Sequence, residues 1–523
     1  MSKARLPLRL LIGAALLIAG PAGAARAQTR TPLDGLDGYI ASAMKDWKIP
    51  GVAVGIIHGD TIVFAKGFGV RTIGRPEKVD EHTLFGIASD SKAFTGILVA
   101  MLVDEGKLRW DAPLTTYLPS LRFADEFLTR DVTLRDALSH RTGLARGDLL
   151  WTAGWSYDRA ELLSRLRYLR PSWGLRSGYH YSNLMYMAAG EAAAAVTGKT
   201  WVDLVKERIF TPLGMAESNL SVTLLPSLAN VATPHGEVDR AIVPVRYTNV
   251  DNIPAAAAVN SNVVDMLKWL RFQLDSGRVN GKRLVSKRSF IETHTPQTIV
   301  RIDSTYRAFN PFTHVRSYAI GWNVMDYRGT EMMSHAGNLA GMAAMVGMLP
   351  EKRVGVVVLT NLEGNALRES IMYKVFDQYL GAPPRDWSRV SLIEQASFDS
   401  IAAVDRKAEE AKRVPNTSPS LALERYAGTY RDDLYGTAIV RMENGRLVLD
   451  LAPRLIGEME HWHYDTFKVT WRDHREGTNL VTFALDSDGQ VDTMTMDIGG
   501  PQEERPRMKR ISDSTARTST NGQ

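Results

Sequence analysis

Between Ala93 and Val103 the chain reads AFTGILVAMLV, apolar around its circumference rather than along one stripe. A helix of that kind has no face to give to solvent, so the domain that holds it must surround it with further layers. Asp104 and Gly106 close it, and Phe85-Gly-Ile-Ala-Ser-Asp-Ser-Lys92 opens it. Ser89 and Lys92 are three residues apart, a spacing that projects both from one face at a helix start. Backbone N–H groups and the helix dipole favour developing negative charge there, and a buried lysine can lose its proton and act as a base. Taken alone, the same pattern also fits an N-capping serine beside an unrelated lysine.

The surrounding layers can be read from periodicity. Residues 51–69 form two apolar runs joined by His-Gly-Asp, a pair of strands. From about 85 to 290 helical patterns broken by Gly and Pro dominate, among them Trp201–Ile209 stopped by Thr-Pro-Leu-Gly. Strand patterns return between Tyr318 and Thr360 as YAIGWNVM, GMAAMVGML and RVGVVVLT. One sheet fed from both ends of a domain, with a helical insertion between, is an α+β fold. Gly381-Ala-Pro-Pro ends that domain, and the charged run at 396–413 reads as a solvated connecting helix. From Leu421 short strands and turn signals at Asn444-Gly445 and Asp486–Gly489 predict a small all-β barrel or sandwich. The expected units are 34–380, a linker over 381–420, the β unit over 421–512, and a polar tail at 513–523.

The formal charge of +5 and pI near 9.1 invite a nucleic-acid or acidic-membrane reading. The first 27 residues dispose of it. Lys3, Arg5 and Arg9 precede an apolar run, Leu10–Ala19, then Gly-Pro-Ala-Gly and the small-x-small triplet Ala25-Arg26-Ala27. That is the layout of a secretory signal peptide cleaved before Gln28, and the run is shorter than the about 20 residues a membrane span needs. Four basic and no acidic residues lie in it, which lowers the 63 basic residues to 59 against 58 acidic ones. A periplasmic or secreted protein without a stable anchor and without a nucleic-acid partner is expected. The absence of cysteine removes thiolate catalysis, disulfides and cysteine-held metals, so nucleophilic chemistry falls to serine.

Two later elements give the Ser-x-x-Lys pattern weight: Tyr181-Ser182-Asn183, and His335-Ala336-Gly337 just before a strand-like run. With these the sequence resembles the serine β-lactamase and penicillin-binding-protein superfamily, known by Ser-x-x-Lys, Tyr-x-Asn and Lys-Thr-Gly motifs. The flanks LRWDAPLTTYLP, LRDALSHRTGL (134–144), TPLGM (211–215) and VNSNVVDMLKW (259–269) resemble it too, over roughly 34–380. The resemblance implies Ser89 as the acylated nucleophile, Lys92 as its proton acceptor and Tyr181 as a phenol that takes and returns protons. It implies that Asn183 bonds Lys92 or a substrate amide, and that the Ser89 and Asn338 N–H groups form an oxyanion hole beside Gly337. His335 departs from the lysine of the third motif, is only partly charged near neutral pH, and is familiar from D-aminopeptidase-like and esterase branches related to class C β-lactamases. Peptide, amide or ester substrates are expected over efficient β-lactam hydrolysis. The stretch from 421 resembles the lipocalin-like barrel appended to some of these peptidases.

Other signals are weaker. His140 in LSHRTGL reads as structural support near the site, and His461 and His463 as barrel packing rather than a metal grip. Gly198-Lys-Thr lacks the upstream glycine of a phosphate loop, and neither Gly-x-Ser-x-Gly nor His-Glu-x-x-His occurs. No metal or other cofactor is called for. The expectation is an exported serine hydrolase, possible as a homo-oligomer, cleaving peptide or amide bonds. A carboxylesterase or weak β-lactamase is the alternative within enzymes, and a non-catalytic ligand-binding scaffold the alternative of another class.

Overall fold

The computed structural model describes residues 33–500 and 502–512; the expected signal peptide and the polar tail lie outside them. The strands of the main sheet are numbered β1–β8 in chain order: Gly51–His58, Thr61–Gly69, Thr298–Ile299, Arg316–Tyr318, Asn323–Tyr327, Thr330–Leu339, Met342–Leu349 and Val354–Thr360. They lie side by side in the order β2-β1-β8-β7-β6-β5-β4-β3, every neighbour antiparallel. The first hairpin therefore joins the last strand across the sheet, with the helical insertion between, as expected for an α+β domain.

The Ser91–Asp104 helix is buried on all sides from Ser91 to Leu102. Phe94 stacks on Trp269 with ring centroids 3.9 Å apart, and Ile97, Leu98 and Val99 are fully enclosed. Each such aliphatic side chain contributes about 1.5–3 kcal/mol of burial. Its one interior hydroxyl, Thr95 Oγ1, donates to the Ala255 carbonyl at 2.6 Å and accepts from Trp201 Nε1 at 3.0 Å, so no polar group is stranded along that face.

Three expectations change in detail. The single run YAIGWNVM is two strands, β4 and β5, parted at Gly321. Gly321 has φ +82°, and a Cβ there would lie 2.6 Å from Ala93 Cα and 2.7 Å from Ala93 N. The sheet turns at that glycine because the helix carrying Lys92 passes directly against it. Second, His335-Ala336-Gly337 precedes strand β7 as expected, and it also lies inside a strand of its own, β6. Its composition, mostly Met, small and polar residues with Thr330 alone β-branched, gives a weak strand signal, and pairing with β5 and β7 supplies the order instead. Third, the connecting helix spans Trp387–Ala411: the charged run from 396 is exposed as expected, but the helix begins earlier and is anchored at that end. Trp387 is buried and donates from Nε1 to Asp377 Oδ2 at 2.8 Å.

The carboxy-terminal unit is a closed eight-stranded antiparallel barrel running from Gly428 to Ile511. Closure removes exposed strand edges, and Tyr426, Phe467 and Phe483 form an aromatic cluster with centroids 5.1–5.8 Å apart. His461 and His463 each engage a backbone group, the Tyr464 carbonyl and the Val414 N–H. Among the described residues no helix is long and apolar enough to cross a membrane.

Gly321→Ala is expected to lower stability by about 2 kcal/mol or more, because the methyl meets backbone in a left-handed conformation. Urea denaturation checks this; an unchanged midpoint would show that the helix and sheet are not in forced contact there.

Candidate active site

Ser89 sits on a 3-10 turn, Ala88–Asp90, that runs straight into the buried helix. Ala88 holds φ +49°, a left-handed backbone that a non-glycine residue rarely adopts, so the turn presenting the serine is strained. Strand β6 presses against it. A Cβ on Gly337 would lie 2.0 Å from the Ile87 carbonyl oxygen, so glycine is what allows the strand to pass. The Gly337 carbonyl accepts from Arg368 Nη1 at 3.0 Å. Gly337 thus acts on the shape of the turn, while Asn338 beside it lines the cleft.

Lys92 is fully buried. Burial above all holds its amine well below the usual lysine range; Asp148 and Asp90 pull it back up and Arg146 pushes it further down. Its Nζ lies 2.7 Å from Asn183 Oδ1, 3.1 Å from the Ala256 carbonyl and 3.0 Å from Ser89 Oγ. The first two oxygens can only accept. A neutral amine has two N–H groups for them, which leaves its lone pair facing the serine hydroxyl. On the other side, Tyr181 donates its O–H to Ser89 Oγ at 2.6 Å. Burial pushes that phenol well above its ordinary range, so it rests protonated, a donor and not a base.

Tyr181 and Asn183 flank Ser182, whose hydroxyl caps the Asn183–Thr197 helix. His140 braces this corner: its Nδ1 accepts the Ser182 N–H at 3.1 Å, and its ring lies 4.2 Å from that of Tyr181. The supporting role expected from LSHRTGL is what the structure shows.

His335 is 4% exposed, and burial first, then Lys92, lowers it to about 3. Its Nδ1 lies 3.1 Å from the Ala336 carbonyl and its Nε2 3.0 Å from the Tyr318 hydroxyl. A carbonyl can only accept, so the proton is on Nδ1 and Nε2 accepts from Tyr318. The partly charged histidine anticipated from the sequence is replaced by a neutral one. Beside it Asp90 is enclosed, pushed well above the carboxylate range by burial, with neither oxygen hydrogen-bonded.

Ser89, Tyr181, Asn183 and His335 line a cleft of about 480 Å³ that also contains Arg146, Arg316 and the barrel residue Gln502. It shares Trp151, Asn338 and Leu339 with a neighbouring cavity of about 570 Å³ that reaches Arg454 of the barrel. On the opposite flank it shares Arg316, Asn323 and Ala336 with one of about 340 Å³. Asn323 opposite Ser334 is the last β5–β6 pair, so one edge of His335–Leu339 carries no strand. Sequence reasoning brought Ser89, Lys92, Tyr181, Asn183, His335 and Asn338 together, and missed Arg146, Asp148, Arg316 and Gln502. The signal for the first pair was the Arg-Gly-Asp one residue beyond LSHRTGL, after Ala145; Gln502, from another domain, left none.

With this geometry in hand, comparison with known proteins is decisive. The family profile described as Beta-lactamase matches residues 36–378. The chain belongs to the β-lactamase family. A profile described as a domain of unknown function, DUF3471, matches 412–512. This β-lactamase-family chain is 30% identical over 464 residues to "Unguisins hydrolase ungD" of Aspergillus violaceofuscus (strain CBS 115571), 82% of this chain and 79% of that one. It is 28% identical to "Penicillin-binding protein 4" of Amycolatopsis lactamdurans over 64% of this chain and 85% of the relative. Among solved structures it resembles the octameric penicillin-binding protein homologue from Pyrococcus abyssi at TM-score 0.61 and 20% identity, covering 92% of this chain and all of that one. A class C β-lactamase aligns at TM-score 0.56 and 20% identity over 66% of this chain and 96% of its own. Family and hydrolase relatives make the protein a serine hydrolase.

The His335 imidazole is expected to show no titration between pH 5 and 8 in two-dimensional NMR of its ring nitrogens, with the proton fixed on Nδ1. A midpoint near 6.5 would return it to the charged role.

Proposed function

We propose that this protein is an exported serine hydrolase that cleaves peptide or amide bonds through an acyl-enzyme on Ser89. The observation that carries the reading is the enclosed Lys92, whose two N–H groups have acceptors and whose lone pair faces Ser89 Oγ at 3.0 Å. Ser89 Oγ attacks the substrate carbonyl carbon and its proton passes to Lys92. The carbonyl oxygen, now negative, is stabilised in this reading by the Ser89 and Asn338 N–H groups. As the C–N bond breaks, the leaving nitrogen takes the Tyr181 proton, and the phenolate formed is held by the adjacent ammonium of Lys92, 4.7 Å from its ring centre. In the second half water attacks the ester carbon and gives its proton to Tyr181. The ester C–O bond breaks, and Ser89 Oγ recovers a proton from Lys92. Both groups return to their starting states.

A groove that continues on both sides of Ser89 supports a substrate extended in both directions, and the strandless edge at His335–Leu339 supports peptide backbone in it. The relative named as a hydrolase of unguisins, matched along most of both chains, supports hydrolysis of such a compound class. A carboxylesterase is the second reading, favoured by the neutral His335, which asks for no substrate carboxylate. The basic, apolar and small-residue order of residues 1–27 supports export, and the octameric Pyrococcus neighbour supports assembly as a homo-oligomer.

The test is a panel of D- and L-aminoacyl amides, short peptides, p-nitrophenyl esters and nitrocefin, run on wild type and Ser89→Ala. Turnover is expected to fall by about 10³-fold or more in Ser89→Ala with its melting temperature unchanged. Equal kinetics in the two proteins would put the site elsewhere, and turnover of esters alone would decide for the second reading.

A further inference from the structure

The catalytic lysine is tied to the barrel by a short chain of polar groups. Asn183 Oδ1 accepts from Lys92, and at its other end Asn183 Nδ2 donates to Asp148 Oδ1 at 3.0 Å. An amide has one accepting and one donating end. Turned over, its NH₂ would face the amine and its oxygen would face a carboxylate, so the Asp148 carboxylate fixes which way Asn183 points. Asp148 is itself fixed: Oδ1 also accepts from Trp151 Nε1 at 2.9 Å, and Oδ2 accepts from Arg146 Nε at 2.7 Å. The backbone of the same segment carries the barrel. The Arg146 N–H donates to the Gln502 carbonyl at 3.0 Å, and the Asp148 N–H donates to the Glu503 carboxyl at 3.2–3.3 Å. Residues 146–148 thus face the active site with side chains and the barrel with N–H groups.

We propose that Asp148, anchored by Glu503 of the barrel, is a positioning residue that orients the Asn183 amide and so aims the Lys92 lone pair at Ser89. The proposal rests on the assignment of Lys92 as proton acceptor. It makes the barrel part of the proton-transfer apparatus rather than an appendage.

Two different signatures follow from the charges. The titratable groups facing Lys92 are Asp90 on its own turn, Tyr181 and Tyr186, His140, His335 of β6, and the Arg146–Asp148 pair. Of these Asp148 is the strongest influence raising the lysine's proton affinity. Glu503 faces Asp148 and Arg146 from one side and Tyr435 and Glu504 of the barrel from the other. Burial, helped by Asp148, pushes it up to about 7, so below pH 6 it carries no charge and acts only as an anchor.

The experiment measures the rate of fluorophosphonate labelling of Ser89 against pH in the full chain, for wild type, Asp148→Asn and Glu503→Ala, with circular dichroism as the check on folding. Asp148→Asn is expected to slow the plateau about tenfold and to move the acid limb, where Lys92 becomes protonated, about one pH unit lower. Glu503→Ala is expected to slow labelling about threefold without moving that limb. A folded Asp148→Asn protein with the wild-type profile, or one slowed with its limb in place, overturns the proposal. So does a folded Glu503→Ala protein that labels like wild type, which decides the matter if Asp148→Asn does not fold. A wild type that takes no label on Ser89 overturns the nucleophile assignment and this proposal with it.

Discussion

A primary amine buried out of contact with solvent is the constraint on which this site depends. Lys92 is enclosed by the helix it begins, by Asn183, and by the Ala256 carbonyl. An ammonium ion there would lose its hydration with few compensating charges, because Asp148 is turned partly to Arg146 and Asp90 is itself pushed toward its neutral form. The amine is therefore kept in the form that can accept a proton. The apolar circumference of the Ser91–Asp104 helix is part of the same arrangement, since a helix with one wet face would let water reach the amine. Fold and chemistry share a cause: the layers needed to bury the helix also desolvate the base.

The third motif follows from the same enclosure. A charged group at His335 would sit near Lys92 and oppose its protonation, yet the histidine is neutral and bonded to Tyr318 and its own neighbour's carbonyl. The cations that face the cleft are instead Arg146, paired with Asp148, and Arg316, which reaches only Asn323 Oδ1 at 3.4 Å and the face of Tyr306. Positive charge thus faces the cleft from Arg146 and Arg316 and not from the third-motif position.

What the sequence could disclose was set by how local each feature is. The all-round apolar helix, the Ser89–Lys92 spacing and the barrel's turn signals are short-range, and the structure contains all three. β6 was not legible as a strand because Thr330–Leu339 has no clear alternation and Thr330 as its one β-branched residue; pairing with the strands just before and just after it makes it one. The split of β4 from β5 depends on Gly321 meeting Ala93 more than two hundred residues away. Charge states were beyond reach for the same reason. The sequence can say histidine at 335, but its neutrality is produced by burial beside Lys92, Asp90 and Tyr318, which lie elsewhere in the chain.

The barrel's relation to the site is the furthest from sequence and also the most consequential. Glu503 and Gln502 lie some 350 residues from the segment they bind, in a loop between two barrel strands. Two N–H groups of residues 146 and 148 need acceptors in a partly buried position, and the barrel supplies both. If the barrel only covered surface, apolar contact would serve. A carboxyl at Glu503, buried beside another carboxylate and therefore costly, is explained by what it holds: a segment whose side chains touch both Asn183 and the ring of Tyr181. Its position makes the integrity of the domain junction and the direction of the Asn183 amide a single structural variable, so the two domains cannot separate without disturbing the group that orients the base.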